Sequence, residues 1–118
     1  MPSLVSYLDA WRKRWAGEAR ADAEARARAQ VAAKQIARLL REKYGARRIV
    51  LIGSLARGDF RVGSDIDLVV EGLDSKVFYK AGADAERTAA GHDVDLVPLE
   101  SASPALLDQM AREGEEIL

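Results

Sequence analysis

The chain has 118 residues, 48% hydrophobic and 31% charged, with a formal net charge of −1 and no cysteine. That length suits one domain burying roughly two-thirds of its unfolded surface, and the missing cysteines exclude a disulfide framework or a thiolate metal site. A lone histidine, His92, leaves no material for a histidine zinc centre or a Ser-His triad. No apolar run approaches the roughly 18–20 residues of a membrane span. Trp11-Arg12-Lys13-Arg14-Trp15 also interrupts any signal-peptide core, so a cytoplasmic protein without membrane contact is expected.

In chain order, the pattern predicts a helix from about residue 3 to 44, with Gly17 as a candidate break. Leu4, Leu8, Trp11 and Trp15 follow a 4-3-4 spacing, one seam of a helix. Docking of that seam on the domain's own sheet is the leading expectation, ahead of a second copy or a partner protein. Ala29, Ala32, Ile36, Leu39, Leu40 and Tyr44 mark a second apolar face. A strand over 48–52, a helical turn from Ser54, a strand over 65–71, a helix from Ser75 toward Ala90 and a strand over 93–98 follow. Ser103-Pro104 opens a last helix that Gly114 ends, and Glu116-Ile117-Leu118 forms an edge strand or packs down. This order predicts an α/β (α+β) domain with a small mixed sheet flanked by helices.

Residues 53–68, Gly-Ser-Leu-Ala-Arg-Gly-Asp-Phe-Arg-Val-Gly-Ser-Asp-Ile-Asp-Leu, carry most of the chemistry. Asp65 and Asp67 stand at i and i+2 of a strand, so both project to one face while Ile66, Leu68 and Val70 face a core. Two charges about 7 Å apart repel by about 2 kcal/mol at an effective dielectric near 20. A divalent cation turns that repulsion into attraction, and carboxylate oxygens suit Mg²⁺. Upstream, Gly53 follows an apolar strand and lets the backbone approach a ligand closely. Ser54 then opens a turn whose free N–H groups can take a phosphate, with Arg57 adding a charged contact. No Gly-Lys-Ser/Thr follows, so this is not a Walker A loop.

Gly-Ser, ten residues, then Asp-x-Asp resembles the signature of the DNA polymerase β-type nucleotidyltransferase superfamily. Ala56-Arg57-Gly58 and Ser64-Asp65-Ile66-Asp67-Leu68 most resemble the minimal nucleotidyltransferases, short proteins paired with HEPN-domain partners as antitoxin and toxin. The resemblance is dense over 49–70 and looser over about 30–118. It implies the nucleotidyltransferase fold, a third carboxylate on a neighbouring strand, and two Mg²⁺ ions for which Mn²⁺ can substitute. His92-Asp93-Val94-Asp95-Leu96-Val97 offers two aspartates on one face of a strand, Asp93 and Asp95. The family's pattern of apolar, Asp, apolar, apolar selects Asp95. Asp65, Asp67 and Asp95 are thus the expected catalytic and metal-binding residues, and Gly53, Ser54 and Arg57 the expected nucleotide-binding ones. The implied reaction moves a nucleoside monophosphate from an NTP, with ATP favoured, to a hydroxyl of a partner protein. A non-catalytic antitoxin that docks on its partner, and an enzyme acting on RNA ends, are the alternatives.

Residues 1–60 carry a balance of +7 and residues 61–118 one of −8. An acidic half is expected around a metal site; the basic half is first a solvated helix surface, and nucleic acid is a lesser candidate partner. Minimal family members need one helix before the Gly-Ser strand. Residues 1–25 therefore read as a helical extension and 26–118 as the nucleotidyltransferase domain, with a homo-oligomer through the extension among the expectations.

Overall fold

A computed structural model describes residues 3–117. The first helix, α1 (Leu4–Tyr44), opens with the Ser3 side chain accepting the Ser6 N–H, and Gly45, at φ 74°, closes it. It runs unbroken through Gly17, where one glycine among good helix formers costs only about 1 kcal/mol. Four strands follow in the order β1 (Arg48–Ile52), β2 (Ile66–Glu71), β3 (Val94–Pro98) and β4 (Glu115–Glu116). Between them lie α2 (Gly53–Arg57), α3 (Phe78–Ala89) and α4 (Pro104–Glu113), with 3-10 turns at Ser75–Val77 and Leu99–Ser101. Leu118 of the expected terminal strand lies outside the described residues; Glu115–Glu116 pair antiparallel with β1.

The sheet is mixed, in the order β3-β2-β1-β4. β1 and β2 are antiparallel, while β2 and β3 are parallel with α3 as the crossover. Period-two alternation sorts the side chains onto two faces. Ile49, Leu51, Ile66, Leu68, Val70 and Leu96 pack under α1 and α3; Val50, Ile52 and Val69 pack under Leu99, Leu106 and Met110 around α4. On the first face both helices present alanines, Ala25, Ala29, Ala32, Ala33 and Ala37 from α1 and Ala81, Ala85 and Ala89 from α3, small enough for close helix packing. Buried Asp84 pins α3 to α1 by accepting from Lys43 at 2.7 Å and from Tyr44 and Arg87. Hydrogen bonds from Lys43 and Tyr44 hold its carboxyl well below the usual carboxylate range.

The aromatic seam departs from expectation. Burial on α1 begins at Ala25, whereas Leu4, Leu8, Trp11 and Trp15 are exposed, Trp15 at 57%. A 41-residue helix spans about 60 Å, far beyond the five- and six-residue strands it covers, and the molecule is accordingly 64 Å long. The seam overhangs because the domain ends before the helix does. Trp11 and Trp15 cover one another instead, edge to face at 5.3 Å, with the Arg14 guanidinium over the Trp11 ring. The overhang leaves the body beside the loop between α2 and β2, where the Asp22 carboxylate accepts the Val62 N–H at 3.0 Å and Arg26 donates to the Phe60 carbonyl. Among the described residues no helix is long and apolar enough to cross a membrane.

Candidate active site

The site forms where β1 ends and β2 and β3 begin, because antiparallel β1 brings its C-terminal end beside the N-terminal ends of the other two. Asp67 pairs with Ile52 on one side and with Asp95 on the other. Directly opposed residues on neighbouring strands share a face, about 4.8 Å apart between strands. Asp67 and Asp95 therefore project together on the α4 face, with Asp65 in the turn just before β2. Asp93 shares their face but precedes β3, and its carbonyl accepts the Ile66 N–H at 2.9 Å.

Asp65 and Asp95 are exposed and Asp67 is half-buried. Burial, then the charges of Asp95 and Asp65, push the Asp67 carboxyl above its ordinary value, and Arg57 offsets only part of this. None of the three carboxylates takes a hydrogen bond or ion pair from a side chain among the described residues. Unpaired hard oxygens crowded on one face suit a divalent cation. Among the described residues, no group of three or more acidic or histidine side chains is placed to hold a metal ion together. Mg²⁺ keeps several waters and takes one or two carboxylates plus phosphate oxygens, so the Asp67–Asp95 pair with a bound triphosphate matches its needs without a third side chain.

Gly53 sits at φ 76°, and a Cβ there would overlap the Asp67 carboxylate. A side chain is excluded twice, by backbone conformation and by space. Ser54 starts α2 from within, and its carbonyl accepts from Gly58 and Asp59, closing the short turn. Arg57 points back toward the site and carries two acidic contacts, with Glu113 at 3.1 Å and Asp59 at 3.4 Å.

Glu113 is the residue that sequence reasoning missed. Its carboxylate accepts the Gly53 N–H at 2.6 Å and the Arg57 guanidinium, so it occupies the groups expected to hold terminal phosphates. The last residue of α4 reaches them because Gly114 lets the helix end lie against β1; a Cβ there would meet the Met110 carbonyl and Val50 Cγ1. A carboxylate on these donors imitates a phosphate oxygen and opposes the real one. Glu113→Gln keeps an acceptor for Gly53 but removes the charge. It should bind AMP-PNP with Mg²⁺ about fivefold more tightly, about 1 kcal/mol, by titration calorimetry. Weaker binding would mean that the carboxylate works with the nucleotide.

Comparisons with known proteins bear on the family and the fold. The family model described as "Polymerase beta, Nucleotidyltransferase" matches residues 34–118. A chain of a toxin–antitoxin complex solved with AMP-PNP is similar at 32% identity and TM-score 0.63, over 73% of this chain and 72% of that one. A chain of the tri-AMPylated Shewanella oneidensis HEPN toxin in complex with MNT antitoxin is similar at 30% identity and TM-score 0.59, over 75% and 71%. A putative nucleotidyltransferase from Sulfolobus solfataricus shares the fold at 23% identity and TM-score 0.50, over 79% and 82%. No curated protein matches. The family match over most of the chain and the shared fold settle the family: the chain belongs to the polymerase β nucleotidyltransferase family.

Proposed function

We propose that this nucleotidyltransferase moves AMP from ATP to a hydroxyl of a HEPN-domain partner protein, as the cytoplasmic antitoxin of a toxin–antitoxin pair. The observation that carries the reading is the in-register pairing of Asp67 with Asp95 on one face, beside Asp65 and the Gly53–Arg57 turn. Similarity to chains from complexes described with AMP-PNP and with an AMPylated HEPN toxin supports the choice of nucleotide and partner.

Asp65 and Asp67 would hold Mg²⁺ against the triphosphate, and Asp67 with Asp95 would hold a second ion on the acceptor side. Bound there, the ions supply positive charge for the attacking and leaving oxygens. Gly53, Ser54 and Arg57 orient the β- and γ-phosphates once Glu113 has yielded its contacts, which keeps the leaving pyrophosphate in line. The acceptor oxygen forms a bond to the α-phosphorus as the bond to pyrophosphate breaks. Asp95 takes the hydroxyl proton and passes it to water. In this reading residues 1–25 are an appendage to the nucleotidyltransferase domain of 26–118, and their exposed seam is free to meet a second copy or the partner.

Incubation of the chain with Mg²⁺, a HEPN-domain partner and each radiolabelled nucleoside triphosphate tests the proposal. Label should pass to the partner from ATP, and Asp95→Asn should cut the rate at least about a hundredfold by removing the proton acceptor. Transfer that survives Asp95→Asn unchanged, or no transfer from any of the four nucleotides, would defeat it.

A further inference from the structure

An acceptor must reach the Asp95 side of the site, and the structure offers one built approach. β3 is an edge strand, with β2 on one side and, among the described residues, no strand on the other. The Ile66 N–H donates to the Asp93 carbonyl, and Ile66 pairs with Val94 in parallel register. Backbone groups of alternate residues point to one neighbour, so those of Asp93 and Asp95 face β2 and those of Val94 and Leu96 face outward. Pro98, next in the outward series, has no N–H to offer, which limits open pairing to a short stretch.

Beside this edge, α3 and β3 border an open groove of about 500 Å³. Phe78, Tyr79 and Gly82 line it from α3, and Val94, Asp95 and Leu96 from β3, with the Val94 and Leu96 side chains turned to the α3 face and Asp95 bordering it from the edge. Tyr79 is 89% exposed, a large ring standing at the groove without cover. Gly82 faces open space, since a Cβ there would meet nothing within 4 Å.

We infer that the acceptor docks as an extended segment on the free edge of β3, with its hydroxyl residue opposite Asp95 and apolar neighbours on both sides filling the α3 groove. The inference rests on the reading of the chain as a hydroxyl-modifying nucleotidyltransferase and names how that site takes its substrate. Strand geometry connects the parts. On a paired strand, the residue opposite Asp95 projects to the carboxylate face, with Cβ atoms about 5 Å apart. With the segment antiparallel to β3, its two neighbours project to the other face, into the groove, while their backbone groups pair with Val94 and Leu96. The recognised pattern is therefore apolar–hydroxyl–apolar in an extended conformation. Edge pairing supplies affinity without regard to side chain, and the groove supplies selectivity. What identifies the occupant is Asp95 itself, since it belongs to the edge strand and faces the other carboxylates.

Two lysine-flanked peptides, one with a Val-Tyr-Val core and one with Val-Ser-Val, serve as probes with the full chain and Mg²⁺. At millimolar peptide and saturating AMP-PNP, the Val94 and Leu96 amide resonances should shift. With ATP, at least one peptide should acquire AMP on its hydroxyl. Methylating both valine nitrogens removes the pairing and should cut labelling at least tenfold. Gly82→Leu, which fills the groove at a helical position that tolerates leucine, should do the same while the AMP-PNP-induced rise in melting temperature is unchanged. Unmoved Val94 and Leu96 amides, equal labelling of the methylated peptide, or full activity of Gly82→Leu would each overturn the inference. So would peptide-free, concentration-dependent shifts at these amides, which would assign the edge to a second copy. Failure to bind AMP-PNP at all would instead defeat the underlying enzymatic reading.

Discussion

Replacing Asp67 by Asn is expected to abolish transfer and, at the same time, to raise the melting temperature of the nucleotide-free protein. Asp67 lies in the middle of the site, with Asp65 in the turn just before its strand and Asp95 opposite. Removing its charge takes away several kcal/mol of metal-linked stabilisation of the transferring group, a loss on the order of a thousandfold or more in rate. The same charge is a burden in the empty protein. Burial and the neighbouring carboxylates raise its folded pKa above the ordinary 3.8. A raised folded pKa means that the folded state holds this proton more tightly than the unfolded one. Its contribution is fully present below about pH 3.8 and is lost as pH rises through the higher folded value. At neutral pH the wild type carries the repulsion and the Asn variant does not. Solvent screening of a half-exposed group keeps the gain small. Thermal melts from pH 4 to 8 should show the variant's advantage growing with pH. Mg²⁺ with AMP-PNP should raise the melting temperature of the wild type by mass action and leave the variant nearly unmoved. A variant less stable than wild type at neutral pH would show that Asp67 supports the fold.

Gly53→Ala is expected to damage stability and activity together. The backbone there sits at φ 76°, where an L side chain costs about 1–3 kcal/mol, and the new methyl also presses on the Asp67 carboxylate. A melting temperature lower by several degrees should accompany loss of transfer, because the carboxylate must move from its place opposite Asp95. Gly45→Ala is the control. It has nearly the same backbone angle, φ 74°, but nothing within 4 Å of its added Cβ. It should share the backbone cost and keep nucleotide binding intact. If both variants lose binding equally, the close approach of Gly53 to Asp67 is not what matters.

Much of the sheet was legible because each strand is short and alternates cleanly. Ile49 and Leu51, or Leu68 and Val70, announce a face two residues at a time, and the same period places Asp67 opposite in sense to its apolar neighbours. The Gly-Ser turn and the Asp-x-Asp pair could be read together because only ten residues separate them. Glu113 could not, since it lies 60 residues beyond Gly53 and ends an amphipathic helix where an acidic residue is unremarkable. Nothing local distinguishes it from Glu115 or Glu116; only the packing of α4 on β1 brings it to the turn.

The N-terminal helix shows the same division from the other side. Its periodicity was readable, and Leu4–Trp15 do form one seam, but periodicity states which residues share a face and is silent on what that face meets. The sheet is too short to extend beneath it, so the seam lies in solvent where burial had been expected. Local pattern thus specified the elements, the carboxylates and the turn, because these depend on spacings of two to ten residues along one chain segment. Register between β2 and β3, the intrusion of Glu113 and the free edge beside Asp95 depend on how separate segments meet. Those are fixed by packing across the whole domain, and no stretch of sequence contains them.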